Sequence, residues 1–434
     1  MIKPALDHMP AEILADICWH LCSHCTNDHL SHYPQPNSPA TPGPGKLWEK
    51  PSAEATTGLL SLARTCRVLS NAATPYIYHN IDARGWPEVK ITEFLRDRRR
   101  LQKRSSVRCL TYELEPFPLY TLLCRMPDLQ LLSLVDRGSF GQTLASKSQK
   151  KLHDLRYLHL EKPTNPTSTR DLSTLENLFE MAPNIKTLVI TSGVLEWKAK
   201  LRNSPKVPLA NLTCLKLYNV SVTLRSLEGI LDNCGPIESF IYICEQGGSV
   251  TPTILPFALS KSSSNSLRYL ECFWHSTDMA SLARSLLRSL KAFKGLETLV
   301  LGGSSLSIGV FGEGTSHVKE LDSISLVELL PASIVEVRID SKHLHKDMYQ
   351  PMLALCQAKQ AGSFPKLRSF LQTNFDVSQV PYTLEDLNEL SERYGVSFKQ
   401  EATSVFPPPE ARPPWLTYRV VRLPFIPFPN VYFP

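Results

Sequence analysis

The chain has 434 residues, of which 42% are hydrophobic and 20% charged, as in an ordinary globular protein. Its formal net charge of +6 is too small for this length to indicate nucleic-acid binding by itself. No run of about 18 apolar residues is free of charges and prolines, and the N-terminus has no apolar run after a basic start, so neither a membrane span nor a secretory signal is expected. The 11 cysteines stand mostly at apolar positions. They predict reduced thiols in an intracellular protein, cytoplasmic or nuclear.

Residues 1–82 predict two amphipathic helices followed by a short third helical turn. In the first helix, apolar residues recur at the helical spacing i, i+3 and i+4. Pro10 stands where the first helical residue is expected, a position that suits proline. Thr56 or Thr57 can cap the second helix, and Pro75 lies at the start of the third turn. Three short helices can barely enclose a core of their own, so part of their apolar surface is expected to face a partner.

This segment resembles the F-box family, and an F-box domain is assigned to residues 1–82. The first half of the family pattern is matched by residues 9–14 with Ile17, and the second half by the leucine-rich stretch 59–69. Met9 stands where the family has a leucine, which is a mild change of side-chain volume. Helices that only cap the array that follows are the alternative. The resemblance implies that a Skp-type adaptor is bound through Leu6, Met9, Pro10, Ile13, Leu14, Ile17, Leu59, Leu62, Cys66, Leu69 and Pro75.

A proline-rich insert, residues 23–55, separates the two halves of this pattern where the family has a short connection. Its composition cannot bury enough apolar surface, so the insert is predicted to be disordered. A longer loop adds little closure entropy, so the helices can still pack. Cys22-x-x-Cys25 and His29 could bind zinc at the start of this insert. Chance clustering at a helix end is favoured instead, and no metal or other cofactor is assigned.

Residues 83–104 predict a helix that links two domains. Apolar positions such as Ile91 and Phe94 precede a basic run that extends to Arg104. A solvated basic face explains this run, and a nuclear-localisation signal or a patch for an acidic partner is the alternative.

One six-residue phrase, residues 155–160, recurs along the rest of the chain. Apolar residues occupy its positions one, four and six, and ten copies start 22 to 38 residues apart, the last of them imperfect. One short strand per unit of roughly 20 to 30 residues is typical of a leucine-rich solenoid, whose units must stack to bury their apolar sides. Helices are predicted between the phrases, for example at 172–179, 224–231 and 282–290. The copies begin at Val107, Leu129, Leu155, Ile185, Leu212, Ile237, Leu267, Leu296, Ile334 and Leu367.

This array resembles the leucine-rich-repeat family over residues 105–400, in about ten irregular units that lack the family's asparagine ladder. The resemblance implies an α/β solenoid with parallel strands on a concave wall and helices outside. Because side chains alternate along a strand, the residues between the leucines are predicted to line that wall. Mixed charged and aromatic groups suit protein recognition. The substrate-binding candidates are Tyr157, His159, Glu161, Lys216, Tyr218, Tyr269, Glu271, Phe273, Glu336, Arg338 and Asp340.

A last helix at 384–390 and a terminal strand within 394–398 are predicted to end the array. Residues 401–434 form a tail rich in proline and aromatic residues. Because terminal repeats need capping, we expect this tail to cover the open end of the array. A free aromatic interaction motif is the alternative.

The sequence contains no phosphate-binding glycine loop, zinc-protease helix or nucleophile elbow, so the chain is not expected to be an enzyme. The two resemblances imply the substrate-recognition subunit of an SCF-type cullin-RING ubiquitin ligase. Its F-box would bind the Skp-type adaptor, and through it the cullin and the RING protein, while the repeats hold an unknown target protein. The alternative, favoured by the long insert, is a leucine-rich-repeat scaffold without a ligase role. No nucleic-acid or membrane partner is expected.

Overall fold

The described part of the chain is an α/β protein built on one parallel β-sheet of 13 strands. No helix in this part is long and apolar enough to cross a membrane. The computed structural model describes residues 9–22, 53–96, 105–114, 119–136, 150–161, 169–197, 209–244, 250–251, 254–274, 289–303, 326–340, 349–373 and 384–401.

Three helices form an N-terminal unit in which each helix contacts the other two. They are α1 (Ala11–Leu21), α2 (Ala53–Ala63) and α3 (Arg67–Ile77). The carbonyl of Pro10 accepts a hydrogen bond from the N–H of Leu14 at 3.2 Å, which starts α1. The sulfur of Cys66 accepts one from the N–H of Leu69 at 3.5 Å, which caps α3. The prediction of a separate third turn was wrong, because Pro75 lies inside the last turn of α3, where a proline removes only one helical hydrogen bond.

All ten six-residue phrases supply a strand, and each strand begins two residues after the first apolar residue of its phrase. The strands follow one another across the sheet in chain order, and every recorded pair is parallel. They are β2 (Cys109–Leu114), β3 (Leu131–Asp136), β4 (Tyr157–Glu161), β6 (Thr187–Glu196), β7 (Cys214–Val222), β8 (Ser239–Cys244), β9 (Tyr269–Trp274), β10 (Thr298–Gly303), β11 (Glu336–Asp340) and β12 (Ser369–Thr373).

Three further strands complete the sheet. Strand β1 (Asn80–Asp82) pairs with β2, β5 (Thr169–Asp171) pairs with β6, and β13 (Ser397–Glu401) pairs with β12. The sheet therefore begins before residue 105, within the range assigned to the F-box. The sequence analysis did not predict β1, because a three-residue strand is too short to show the six-residue phrase. The terminal strand is present but starts at Ser397, since the preceding helix continues to Tyr394 and Gly395 then takes a φ of +63°.

Helices cover one face of the sheet, and their apolar residues share a core with the leucines of the strands. The stretch 172–179 is helical as predicted, first as a 3-10 turn at Leu172–Leu175. The stretch 282–290 falls mostly outside the described residues. The helices are α4 (Glu88–Arg96), α5 (Leu119–Leu123), α6 (Glu176–Met181), α7 (Leu224–Leu231), α8 (Leu255–Ser263), α9 (Tyr349–Gln360) and α10 (Leu384–Tyr394).

Successive units approach so closely at one outer turn that only glycine fits. The N–H of Gly235 donates to the carbonyl of Leu209 at 3.1 Å. A Cβ atom at Gly235 would lie 2.1 Å from the carbonyl oxygen of Ala210. A larger residue at position 235 would therefore force the two neighbouring units apart at this turn.

Candidate protein-interaction surfaces

The N-terminal unit has its own small core, in which Cys18, Cys22, Leu59 and Ala73 pack together. This core is separate from that of the sheet. Cys18 of α1 and Cys22 directly after it therefore point inward, and burial, with the neighbouring Cys22 as a smaller cause, raises the pKa of the Cys18 thiol. Within the described residues no group of three or more His, Cys, Asp or Glu side chains could hold a metal ion. Cys25 and His29 of the considered zinc site lie outside those residues.

The predicted adaptor-binding residues divide into a buried and an accessible set. Leu14, Leu59 and Leu69 are only 2%, 3% and 1% exposed. They pack inside the folded unit, so their predicted contact with an adaptor stays a prediction that this packing does not favour. An apolar stripe on a short helix serves first to bury itself against its neighbours. Pro10 and Ile13 are exposed, and Leu6 lies outside the described residues. The half-buried remainder is Met9, Ile17, Leu62, Cys66 and Pro75.

Three apolar side chains that the sequence analysis overlooked are exposed on the same unit. Trp19 on α1 is 44% exposed, Leu60 on α2 38% and Val68 on α3 41%. Together with Ile13, at 48%, they make four of the six large hydrophobic side chains recorded as exposed in the described residues. Each lies off the buried stripe of its helix. An apolar residue on the polar side of an amphipathic helix was the signal that could have identified them.

The second candidate surface is the face of the sheet opposite the helices, called the inner face below. It consists of the strand residues that alternate with the leucines, such as Tyr157, His159 and Glu161 of β4. The in-register pairing brings the predicted substrate-binding residues into rows across neighbouring strands. One row runs Lys216, Ile241, Glu271, Val300 and Arg338 across five strands.

Ten of the eleven predicted substrate-binding residues are buried, and Glu336 is half-buried. Their role in binding a target therefore stays a prediction, and in this structure the face on which they lie is buried. Alternation correctly gives the face on which a side chain lies, but it says nothing about what else in the chain covers that face. In the isolated chain Glu271 is 6% exposed and Asp340 2%.

Apolar side chains dominate the centre of the inner face. They form a cluster of their own, to which no described helix contributes a residue. This cluster, called the inner apolar strip below, consists of Cys109, Leu131, Tyr157, Val189, Tyr218, Ile241, Ile243, Tyr269, Phe273 and Val300.

Some polar groups of the inner face hydrogen-bond to one another. The hydroxyl of Tyr269 donates to Oε2 of Glu271 at 2.6 Å, and Nε of Arg338 lies 2.8 Å from Oε1 of Glu336. Burial raises the pKa of the Glu271 carboxyl, although the Tyr269 hydrogen bond and the charges of Lys216 and Arg338 oppose this shift. These contacts hold the aromatic and charged side chains in fixed positions.

His159 joins three strands of the inner face. Its Nδ1 lies 3.0 Å from Oγ of Ser133, and its Nε2 lies 3.2 Å from Oγ1 of Thr191. Both ring nitrogens thus meet hydroxyl groups. These two contacts position the imidazole in the sheet. Ser133 therefore serves here as a hydrogen-bond partner of the ring.

Formal charge on the inner face is predominantly negative. Its basic residues are Lys216, Arg338 and Lys399. Its acidic residues are Asp82, Glu113, Glu161, Glu271, Glu336 and Asp340.

No protein-family model matches the chain. A search of the curated proteins likewise finds no match. The functional interpretation therefore depends on the two surfaces themselves: the exposed apolar side chains of the N-terminal unit and the inner face of the parallel sheet.

Proposed function

We propose that the chain is the substrate-recognition subunit of an SCF-type cullin-RING ubiquitin ligase, with no catalytic chemistry of its own. The observation that carries this proposal is the exposure of Ile13, Trp19, Leu60 and Val68 on a three-helix unit that has a buried core of its own. Exposed apolar residues concentrated on one small unit are typical of a binding surface. The F-box resemblance of the same helices supports a Skp-type adaptor as the partner.

The parallel sheet would then be a leucine-rich-repeat array that holds the target protein. Ten phrases at regular positions in ten adjacent strands support that assignment. The contribution to ubiquitin transfer would be proximity, since a tethered target has a raised effective concentration near the conjugating enzyme. The burial of the inner face requires the target either to bind elsewhere on the array or to bind after this face is uncovered.

The test is complex formation between the full chain and purified Skp-type adaptor, measured by size-exclusion chromatography. We expect a stable complex that Ile13→Glu abolishes, because a carboxylate would be buried against apolar adaptor side chains. Val89→Glu is the matched control, since Val89 is 68% exposed on α4, outside the three-helix unit. A chain that forms no complex, either as the wild type or with residues 23–52 deleted, would contradict the proposal.

A scaffold without a ligase role is the second candidate. The insert at residues 23–55 favours it, because the F-box family has a short connection at this place. Deleting residues 23–52 from the full chain, which leaves α2 whole, distinguishes the two functions. Adaptor binding that appears only after deletion would mean that the insert controls docking, and a failure to bind in both forms would favour the scaffold.

A further inference from the structure

The N-terminal ends of the strands form a rim of the array that has exposed side chains, unlike the inner apolar strip. The second residue of each six-residue phrase lies on this rim, directly before its strand. Its N–H donates to the carbonyl of the same position one unit earlier, as that of Lys186 does to Arg156 at 2.8 Å. These hydrogen bonds form one continuous ladder, so the ten residues lie in a row at the strand spacing of about 4.8 Å. In chain order they are Arg108, Gln130, Arg156, Lys186, Thr213, Glu238, Arg268, Glu297, Val335 and Arg368.

Charge is distributed unevenly along this row. Its last five residues include two acidic and two basic side chains, and Nη1 of Arg268 lies 3.2 Å from Oε1 of Glu297 on the next unit. Its first five residues include three basic side chains and no acidic one. Of these three, Arg108 pairs with Asp128 at 3.2 Å. The other two are exposed, and no carboxylate of the described residues pairs with them.

Two lysines of the turn before β4 add positive charge at the same end of the sheet. Nζ of Lys150 lies 3.2 Å from the carbonyl oxygen of Cys124, and Nζ of Lys151 lies 2.7 Å from that of Glu180. Both lysines are exposed. A backbone carbonyl has no formal charge, so these hydrogen bonds position the ammonium groups and leave their charge unchanged.

The exposed cations before β3, β4 and β6 are called the basic rim below. The exposed acidic residues beside it are Asp154 and Glu180. Five cations against two carboxylates leave an excess of 5 − 2 = 3 positive charges on three neighbouring units. The basic rim consists of Arg125, Lys150, Lys151, Arg156 and Lys186.

We propose that the basic rim binds an acidic, carboxylate-rich segment of a partner protein. In the second half of the row the chain supplies such a carboxylate itself, that of Glu297 for Arg268. At the basic rim the corresponding positions are basic or uncharged, so a partner's carboxylates would complete the same pairing. Arginine suits this role because its planar guanidinium can bind a carboxylate through two parallel hydrogen bonds.

The dimensions of the basic rim match a short extended segment. Strands β3, β4 and β6 are neighbours in the sheet, so the rim spans roughly 10 Å at about 4.8 Å per strand. An extended chain rises about 3.3 Å per residue, so about four residues of a partner cover it. Under the proposed function this partner is the target protein, which can bind here while the inner face stays buried. That identification rests on the proposed function, whereas binding of an acidic segment does not.

The test is binding of a fluorescein-labelled oligoglutamate peptide to the full chain, measured by fluorescence polarisation at low ionic strength without adaptor. We expect saturable binding that weakens as salt is added, because salt screens exposed ion pairs. Arg156→Glu combined with Lys186→Glu should weaken binding by about tenfold or more, since two attractive pairs become repulsive. The same peptide with glutamine in place of glutamate should not bind.

The matched control is Lys366→Glu combined with Arg368→Glu, in the turn before β12. It replaces one lysine and one arginine, both exposed on the same rim, and changes the net charge equally. The affinity of this control for the peptide should stay within about twofold of that of the unaltered chain.

Three outcomes would overturn the proposal. The first is an oligoglutamate peptide that does not bind the unaltered chain. The second is an equal loss of affinity in both double variants, which would mean that the overall charge of the chain attracts the peptide. The third is duplex DNA that binds more tightly than the peptide and is lost with Arg156→Glu and Lys186→Glu, which would assign the basic rim to nucleic acid. None of these outcomes depends on adaptor binding, so each is distinguishable from a failure of the proposed function.

Discussion

Two neighbouring residues of α1 distinguish the core of the N-terminal unit from its binding surface. Leu14 is 2% exposed, and Ile13 is 48% exposed. Replacing a buried leucine by alanine costs about 2–5 kcal/mol, because transfer free energy is lost and a cavity remains. Leu14→Ala should therefore lower the stability of the three-helix unit by that amount. Ile13→Ala should change it by no more than about 0.5 kcal/mol, as is usual for an exposed position.

Hydrogen exchange of the α1–α3 amides measures this difference without requiring the sheet to unfold. A loss of about 2–5 kcal/mol accelerates exchange through opening of the unit by roughly 30-fold to several thousand-fold. Leu14→Ala should show this acceleration, and Ile13→Ala should exchange like the unaltered chain.

Adaptor affinity should respond in the opposite way. If Ile13 is an anchor of the interface, Ile13→Ala should weaken binding by about 1 kcal/mol or more, which is at least about fivefold in Kd. Leu14→Ala should reduce only the fraction of chains competent to bind. An Ile13→Ala chain that exchanges as fast as Leu14→Ala, or that binds the adaptor with unchanged affinity, would refute the division into core and surface.

Three further predictions concern the sheet. Gly235→Ala should destabilise the chain by about 1–3 kcal/mol in urea unfolding, because its Cβ would meet the carbonyl oxygen of Ala210 at 2.1 Å. Thr223→Ala should cost about 1 kcal/mol in the same assay, since the Thr223 hydroxyl caps α7 by accepting the N–H of Ser226 at 3.1 Å; no loss would mean that this cap is dispensable. The pKa of Glu271 is raised in the folded chain, so the folded state binds this proton more tightly, and its contribution to stability should be lost as pH rises above the ordinary value of 4.5. Glu271→Gln should flatten that part of the stability–pH curve, and a curve identical to that of the unaltered chain would contradict the assignment.

Much of the sheet could be predicted because its signal is local. A residue such as Leu158 faces the helices because it alternates with Tyr157 and His159, and the spacing of apolar positions within each phrase records this alternation. The same phrase repeats in ten strands, so assigning a strand to one copy also predicts the positions of the other nine. Strand β1 was missed because three residues carry too little pattern, and the end of α10 was misplaced because Gly395 decides it through its backbone conformation.

The candidate surfaces could be predicted less completely. Ile13 and Leu14 are both apolar and adjacent, and the sequence offers no means of telling which of them the packing of α1 against α2 and α3 will bury. The exposed Trp19, Leu60 and Val68 were overlooked although each lies off the buried stripe of its helix. Their exposure is a property of how three helices pack, and helix packing depends on contacts between segments far apart in the chain.

The sequence by itself determined the class of the fold, the positions of ten strands and the face on which each strand residue lies. These depend on the two-residue period of a strand and on the need of each unit to bury its apolar side against the next. Only the tertiary structure decided which of those faces is accessible. Charged residues such as Lys216, Glu271 and Arg338 read as solvent-exposed, yet they are buried, because burial is set by everything that packs on a face and not by the side chain alone.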